Sequence, residues 1–141
     1  MRVQPYLHFD GRCEEAVKFY AQAVGAQTEM LMRYKESPEA PPPGVSLAGK
    51  EDWVMHASLR IGDSVVMASD DCTGQHCGFA GFQLSLTVTD VAEAEQRFAA
   101  LAEGGQVKMP LAKTFFSPSF GMLVDRFGVS WMVIVMSSAG N

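Results

Sequence analysis

The stretch Phe19-Tyr20-Ala21-Gln22-Ala23-Val24-Gly25-Ala26-Gln27 recurs as Phe98-Ala99-Ala100-Leu101-Ala102-Glu103-Gly104-Gly105-Gln106, 79 residues further on, with five of nine positions identical. An internal repeat means that one supersecondary unit is built twice. Both copies read as the end of an amphipathic helix and the turn after it. Ala16, Phe19, Tyr20 and Ala23 fall on one face at helical spacing before the first glycine, as do Val91, Ala94, Phe98 and Leu101 before the second. Gly25 and Gly104 stand where a helix C-terminus favours a residue tolerant of positive φ. Asp90, with Glu93 three residues later, reads as an N-cap with a capping-box partner, and Asp10 is the candidate cap of the first helix.

Working outward, Ile61-Gly62-Asp63-Ser64-Val65-Val66-Met67 is echoed by Phe127-Gly128-Val129-Ser130-Trp131-Met132-Val133, now at an offset of 66. Each is a glycine turn entering a β-branched or aromatic strand. The offsets differ by 79 less 66, or 13 residues, so the first copy is longer. Its surplus lies in Glu36 to Asp52, where Ser37-Pro38-Glu39-Ala40-Pro41-Pro42-Pro43-Gly44 breaks every periodicity. This segment is expected to be a mobile loop over the site.

Each half then reads as strand, helix and three strands. The first has strands at Val3 to Phe9, Thr28 to Tyr34, Val54 to Ile61 and Ser64 to Ser69, with a helix over Cys13 to Val24. The second has strands at Gly81 to Thr89, Gln106 to Phe115, Ser119 to Asp125 and Val129 to Met136, with a helix over Val91 to Glu103. The expected fold is α+β, a tandem of βαβββ modules at 1–72 and 80–137 forming one domain over 1–141. A helix covers one face of each sheet, and the two remaining faces are expected to form a concave cleft that takes a small molecule.

The 141 residues and 48% hydrophobic content suit one domain with a sizeable core. With 11 basic against 16 acidic residues, a net charge of -5 and no Lys/Arg cluster, the chain lacks the footprint of a nucleic-acid binder. Its longest apolar run, Trp131 to Met136, is far too short for a membrane helix, and Met1-Arg2-Val3-Gln4-Pro5 lacks the apolar core of a signal peptide, so a cytoplasmic protein is expected. Cys13, Cys72 and Cys77 cannot all pair within one chain and read as free thiols of a reducing compartment. The segment Cys72-Thr73-Gly74-Gln75-His76-Cys77 is one ligand short of a closed zinc site and reads as a polar loop.

Several segments together resemble a known family. They are Pro5-Tyr6-Leu7-His8-Phe9, the helix end Phe19-Tyr20 with Gly25-Ala26, His56-Ala57-Ser58-Leu59-Arg60-Ile61-Gly62, Met67-Ala68-Ser69-Asp70, Lys113-Thr114-Phe115-Phe116 and Asp125-Arg126-Phe127-Gly128-Val129-Ser130-Trp131-Met132. The chain is similar along nearly its whole length to the PhnB-like branch of the glyoxalase, bleomycin-resistance and extradiol-dioxygenase superfamily, also called vicinal oxygen chelate. Members of this branch often carry the label 3-demethylubiquinone-9 3-methyltransferase. The resemblance implies paired βαβββ modules, a homodimer, and commonly a divalent metal held by one residue from the first and last strand of each module. Carried over, those positions fall at Pro5, Met67, Gln83 and Met132. Proline has no side-chain donor, and thioethers are soft ligands that hard divalent ions avoid. No metal or other cofactor is therefore expected at the family positions; a displaced divalent ion on His56, Gln83 and Asp70 stays open. Methyl transfer of the usual kind is not expected, since the sequence has neither a doubly wound βαβ order nor its glycine-rich turn.

Among individual residues, His56 is the candidate catalytic base facing the cleft, against the alternative of a partly buried histidine bonded to a neighbour. Ser69 shares a strand face with Met67. Asp70 is read either as orienting His56 or binding ligand, or as capping a turn. Thr114, Phe116 and Phe120 form a candidate ligand wall, and Gln83, Met67 and Met132 complete the candidate ligand-binding set. His8, opposite Leu7 and Phe9, is expected under the helix or near the surface, away from the site, and His76 in a loop. Small-molecule binding is the leading function. A lyase- or isomerase-like enzyme using His56 is the first alternative, and a module whose cleft is filled by its own side chains is another.

Overall fold

A computed structural model describes residues 1–76 and 78–137; Cys77 lies outside the described residues. The chain divides into two compact units, Met1–Gly78 and Phe79–Asn141. The first holds β1 (Tyr6–Phe9), α1 (Cys13–Val24), β2 (Gln27–Arg33), a 3-10 turn (Tyr34–Glu36), β3 (Val54–Ile61) and β4 (Ser64–Asp70). The second holds β5 (Leu84–Val88), α2 (Val91–Ala102), β6 (Gln106–Ala112), β7 (Phe120–Val124) and β8 (Ser130–Val135). Each is a βαβββ module with one four-stranded mixed sheet, ordered β1-β4-β3-β2 and β5-β8-β7-β6. The outer strand pairs β1/β4 and β5/β8 are parallel and all others antiparallel.

The expected strands are trimmed at their ends. β1 starts at Tyr6 because Pro5 has no N–H to give a ladder, although its carbonyl accepts from Met67 N at 3.0 Å. β5 starts at Leu84 rather than Gly81, and β6 stops at Ala112 rather than Phe115. Past Ala112, the Thr114 hydroxyl accepts hydrogen bonds from Phe116 N (3.3 Å) and Ser117 N (3.0 Å), turning the chain out of the sheet. Pro110 is tolerated inside β6 because that strand is an edge and is already irregular between Met109 and Ala112.

In the first unit, α1 packs on β2, β3 and β4, burying Ala16, Tyr20 and Ala23 over Leu7, Leu59 and Ala68. Side chains the size of Leu59 or Tyr20 contribute about 1.5–3 kcal/mol each when fully buried. In the second unit, α2 covers Leu123, Trp131 and Val133. Gly121 is what lets it sit close: a Cβ there would lie 2.8 Å from the Phe98 ring and 2.9 Å from the Met109 carbonyl oxygen.

The two halves do not superpose at the offsets read from the sequence. The buried helix residues Ala94, Phe98 and Leu101 lie 78 positions after Ala16, Tyr20 and Ala23, so Phe98 answers Tyr20 and not Phe19, which is only half-buried. The buried β8 residues Trp131, Val133 and Val135 lie 65 positions after Val66, Ala68 and Asp70. The second unit has one extra residue in its helix-to-strand turn, Glu103-Gly104-Gly105 against Gly25-Ala26, so a match made through the turn sets the helices one position off. Gly25 and Gly104 do adopt positive φ, 69° and 78°.

The helix caps also differ from expectation. Asp90 Oδ1 accepts from Glu93 N at 2.7 Å and caps α2. Asp10 does not cap α1. Its place is taken from across the sheet by Asp70, whose Oδ1 accepts from Gly11 N (2.8 Å) and Cys13 N (2.9 Å) while Oδ2 accepts from Val54 N (2.9 Å). Gly11 has φ +90° and a Cβ there would stand 2.9 Å from the Trp53 ring, so the β1–α1 turn admits no side chain. The base of the long β2–β3 loop is fixed beside α1. Arg33 grips Glu14 with two nitrogens, at 2.6 and 3.3 Å, and gives a third hydrogen bond to the Asp52 carbonyl at 2.9 Å. Lys35 pairs with Asp52 at 2.6 Å.

Two outcomes follow. Asp70→Ala leaves three N–H groups without their acceptor in the interior and should lower the unfolding free energy by about 2–4 kcal/mol in urea titration; a change within a few tenths would show that Asp70 does not hold these segments. The hydrogen bond from Arg33 holds the Glu14 carboxyl below the usual carboxylate range. A pKa lower in the folded than in the unfolded chain stabilises above the unfolded value and loses its effect as pH falls through the folded one. A double-mutant cycle of Glu14→Gln and Arg33→Gln should therefore show coupling at about pH 7 and none at about pH 2. Equal coupling at both would refute a role for the charged pair.

Candidate functional site

Alternation along the strands decides which side chains a sheet keeps free of its helix. In the first sheet Leu7 and Phe9 of β1, Ala57 and Leu59 of β3, and Val66, Ala68 and Asp70 of β4 are buried on the helix side. The opposite face carries Tyr6 and His8, His56 and Ser58, and Met67 and Ser69, aligned across strands by the pairs Tyr6 with Met67, His8 with Ser69, and Ser58 with Met67. Met30 and Met32 extend the same face on β2 beside Ser58 and His56.

The polar part of this face is an aromatic cluster. The Tyr6 hydroxyl and His56 Nδ1 share a hydrogen bond of 2.9 Å. Their rings lie 5.6 Å apart, and on its other side the Tyr6 ring stacks on His8 with centroids 4.8 Å apart and planes 27° from parallel. His8 Nδ1 lies 3.4 Å from the Ser69 hydroxyl. Two imidazoles are thus held against one phenol, each with a nitrogen engaged by a neighbouring hydroxyl, on a floor of thioethers. Such a face can accept or donate hydrogen bonds and exchange a proton with a ligand.

His56, Met67 and Ser69 therefore share one face of the first sheet. Asp70 does not. It is 1% exposed, on the helix side, and its carboxylate oxygens are taken by the three backbone N–H groups already named, so it neither orients His56 nor reaches a ligand on that face. Of the three residues considered for a displaced ion, Asp70 does not share a face with His56. Tyr6 has no place in the set expected from the sequence, and His8, expected under the helix or near the surface and away from the site, instead stacks on Tyr6 on the face that carries His56. The signal was available: with Leu7 and Phe9 buried, period two places Tyr6 and His8 together on the other face.

The second sheet has its own open face, opposite Leu123, Trp131 and Val133. Met132 of β8 lies there, paired with Ser85 of β5 and Met122 of β7, and Phe120 pairs with Ile134. Gln83, just before β5, donates from Nε2 to Met122 Sδ at 3.3 Å. Phe116 is 42% exposed and meets Phe120 edge to face at 5.1 Å, while Phe115 stands fully in solvent. The Thr114 hydroxyl is occupied by the turn that presents these rings.

The first-strand residues beside Met67 and Met132 are Tyr6 and Ser85 rather than Pro5 and Gln83. Neither set suits a hard divalent ion, since each module contributes a methionine from its last strand. Among the described residues no three His, Cys, Asp or Glu side chains are grouped to hold a metal. Among the described residues the thiols are Cys13, buried, and Cys72, half-buried. Burial, reinforced by the Asp70 carboxylate, pushes the Cys13 thiol up, and Cys72 is half-buried beside Tyr34, whose phenol burial and Cys72 push up in turn. The Cys72–Cys77 segment extends outside the described residues. Among the described residues no helix is long and apolar enough to cross a membrane.

Comparison with known proteins agrees with this architecture. The family model for 3-demethylubiquinone-9 3-methyltransferase matches residues 1–134. The crystal structure of protein PA1353 from Pseudomonas aeruginosa is 44% identical, with a TM-score of 0.84 over 96% of this chain and 98% of that one. A putative 3-demethylubiquinone-9 3-methyltransferase, PhnB protein, from Bacillus cereus is 29% identical, with a TM-score of 0.79 over 96% and 99%. The fold alone is shared with a glyoxylase/bleomycin resistance protein/dioxygenase domain from Frankia sp. EAN1pec, 10% identical with a TM-score of 0.68 over 98% and 93%. With two βαβββ modules and a family match over residues 1–134, this chain belongs to the 3-demethylubiquinone-9 3-methyltransferase family.

Proposed function

We propose that the chain binds a small, largely apolar molecule on the open face of its first sheet, with the Tyr6–His56 pair as the polar anchor. The observation that carries this reading is the 2.9 Å bond between the Tyr6 hydroxyl and His56 Nδ1 on a face that also carries thioethers, the His8 imidazole and the Ser58 and Ser69 hydroxyls. Thioethers are polarizable and adapt to a ligand's shape, and a hydrogen-bonded polar pair fixes its orientation. When the Tyr6 hydroxyl donates to Nδ1, the neutral imidazole carries its own proton on Nε2, leaving a donor for a ligand oxygen.

The same bond favours a second reading, acid–base catalysis of the lyase or isomerase type by His56 without the family's usual divalent ion. His56 would donate to a developing oxyanion and Tyr6 would hold the tautomer. Methyl transfer finds less support. Neither sheet order is doubly wound, and the family's description is a name that travels with the fold.

A thermal-shift screen of small aromatic and aliphatic carbonyl compounds on wild type, Tyr6→Phe and His56→Ala tests both readings. Binding predicts a stabilising compound whose shift falls in both variants, with no chemical change in the compound. Catalysis predicts turnover by wild type that Tyr6→Phe slows and His56→Ala abolishes while the shift persists. No shift with any compound, or equal shifts in all three proteins, would refute a ligand site at this pair. We also propose a homodimer, because β1, β2, β5 and β6 are the end strands of their sheets and a second copy could pair along such an edge. Sedimentation at micromolar concentration should give the dimer mass, and a monomer would refute it.

A further inference from the structure

Three methionines stand side by side across the open face of the second sheet. Met109 of β6 pairs with Met122 of β7, and Met122 pairs with Met132 of β8. Residues paired on neighbouring strands share a face at a spacing of about 5 Å. That the face is the open one follows from the residues alternating with them: Gly121 abuts Phe98 of α2, and Leu123, Trp131 and Val133 are buried. The methionines are not core. Met109 is 42% exposed, and Met122 and Met132 are half-buried.

A thioether on a flexible, unbranched stem spans the distance between strands, so the outer two sulfurs can converge on the middle one. Met122 Sδ already accepts the hydrogen bond from Gln83 Nε2, which shows a sulfur lone pair turned toward polar surroundings rather than packed in hydrocarbon. The corresponding row of the first sheet reads Met30, Ser58 and Met67, with a serine in the middle, so the trio is particular to the second unit.

We propose that Met109, Met122 and Met132 form a binding site for a soft monovalent cation, Cu(I) or Ag(I), held by three thioethers. Neutral sulfur ligands reject the hard divalent ions for which the fold family is equipped and select soft ions instead. A thioether has no proton to lose on binding, so affinity should not change between about pH 5 and pH 8, unlike that of a histidine or thiolate site.

The test uses silver(I) nitrate titrated into the full chain labelled with methyl-13C methionine and carrying Cys72→Ser and Cys77→Ser, which remove competing thiols. Cys13 remains, shielded by full burial. Three of the nine methionine methyl signals should move together and saturate at one equivalent, with the same affinity at both ends of that pH range. Met109→Leu, an exposed edge-strand change that keeps the fold, should weaken binding by at least the roughly tenfold that loss of a mere outer-sphere partner costs a metal site. Met122→Leu should abolish the joint shift of the other two signals, and Met32→Leu should leave the silver titration of the three signals unchanged. The proposal is overturned if no methyl signal saturates, if all nine drift together, or if Met109→Leu and Met122→Leu leave the titration as it was.

Discussion

The Asp70 carboxylate is the point on which the first unit depends. It sits at the end of β4, buried on the helix side, and its two oxygens gather the N–H groups of Gly11, Cys13 and Val54. Those three groups belong to the β1–α1 turn, the first turn of α1 and the start of β3, so one side chain fixes the entry of the helix and the register of a neighbouring strand. A buried carboxylate is stable only when its lone pairs are filled, and here they are filled by backbone donors that would otherwise be unpaired at a helix N-terminus. In the second unit Asp125 is a second buried acceptor, taking hydrogen bonds from Phe127 N (2.9 Å), Val129 N (3.1 Å) and the Trp131 indole (2.9 Å). The Asp125 to Trp131 run is accordingly a structural clasp around the β7–β8 turn.

With both carboxylates committed to the scaffold, chemistry is left to the faces that the helices do not cover. The first offers two imidazoles, a phenol and a serine hydroxyl among thioethers; the second offers thioethers, a carboxamide and phenylalanines. In both units the last strand presents a methionine to the open face, Met67 beside Tyr6 and Met132 beside Ser85. The two faces differ in their other side chains, polar and imidazole-bearing in one, sulfur-bearing and aromatic in the other.

Much of this was legible in the chain. The repeated helix end, the glycine turns and the alternating strands define two βαβββ modules, because period 3.6 and period 2 leave different marks on a sequence. The Asp90 cap was readable too, since its partner Glu93 is three residues away. What was not readable was anything carried by separation. Asp70 caps a helix that begins 57 residues before it, and nothing local marks it out from Asp10, which stands beside that helix and does not cap it.

The register between the two halves shows the same boundary more sharply. Identical residues align the repeats at offsets of 79 and 66, whereas buried positions align the helices at 78 and the last strands at 65. A slip of one residue is invisible to residue matching, yet on a strand it exchanges the core face for the open face. In the pairing itself, Tyr6 and Ser85 stand beside the last-strand methionines, not Pro5 and Gln83, the positions carried over from the family resemblance. The sequence by itself determined the modules, their helices and which residue types could do chemistry. Only the strand pairing decided which of them meet, because backbone hydrogen bonds between distant segments set the register.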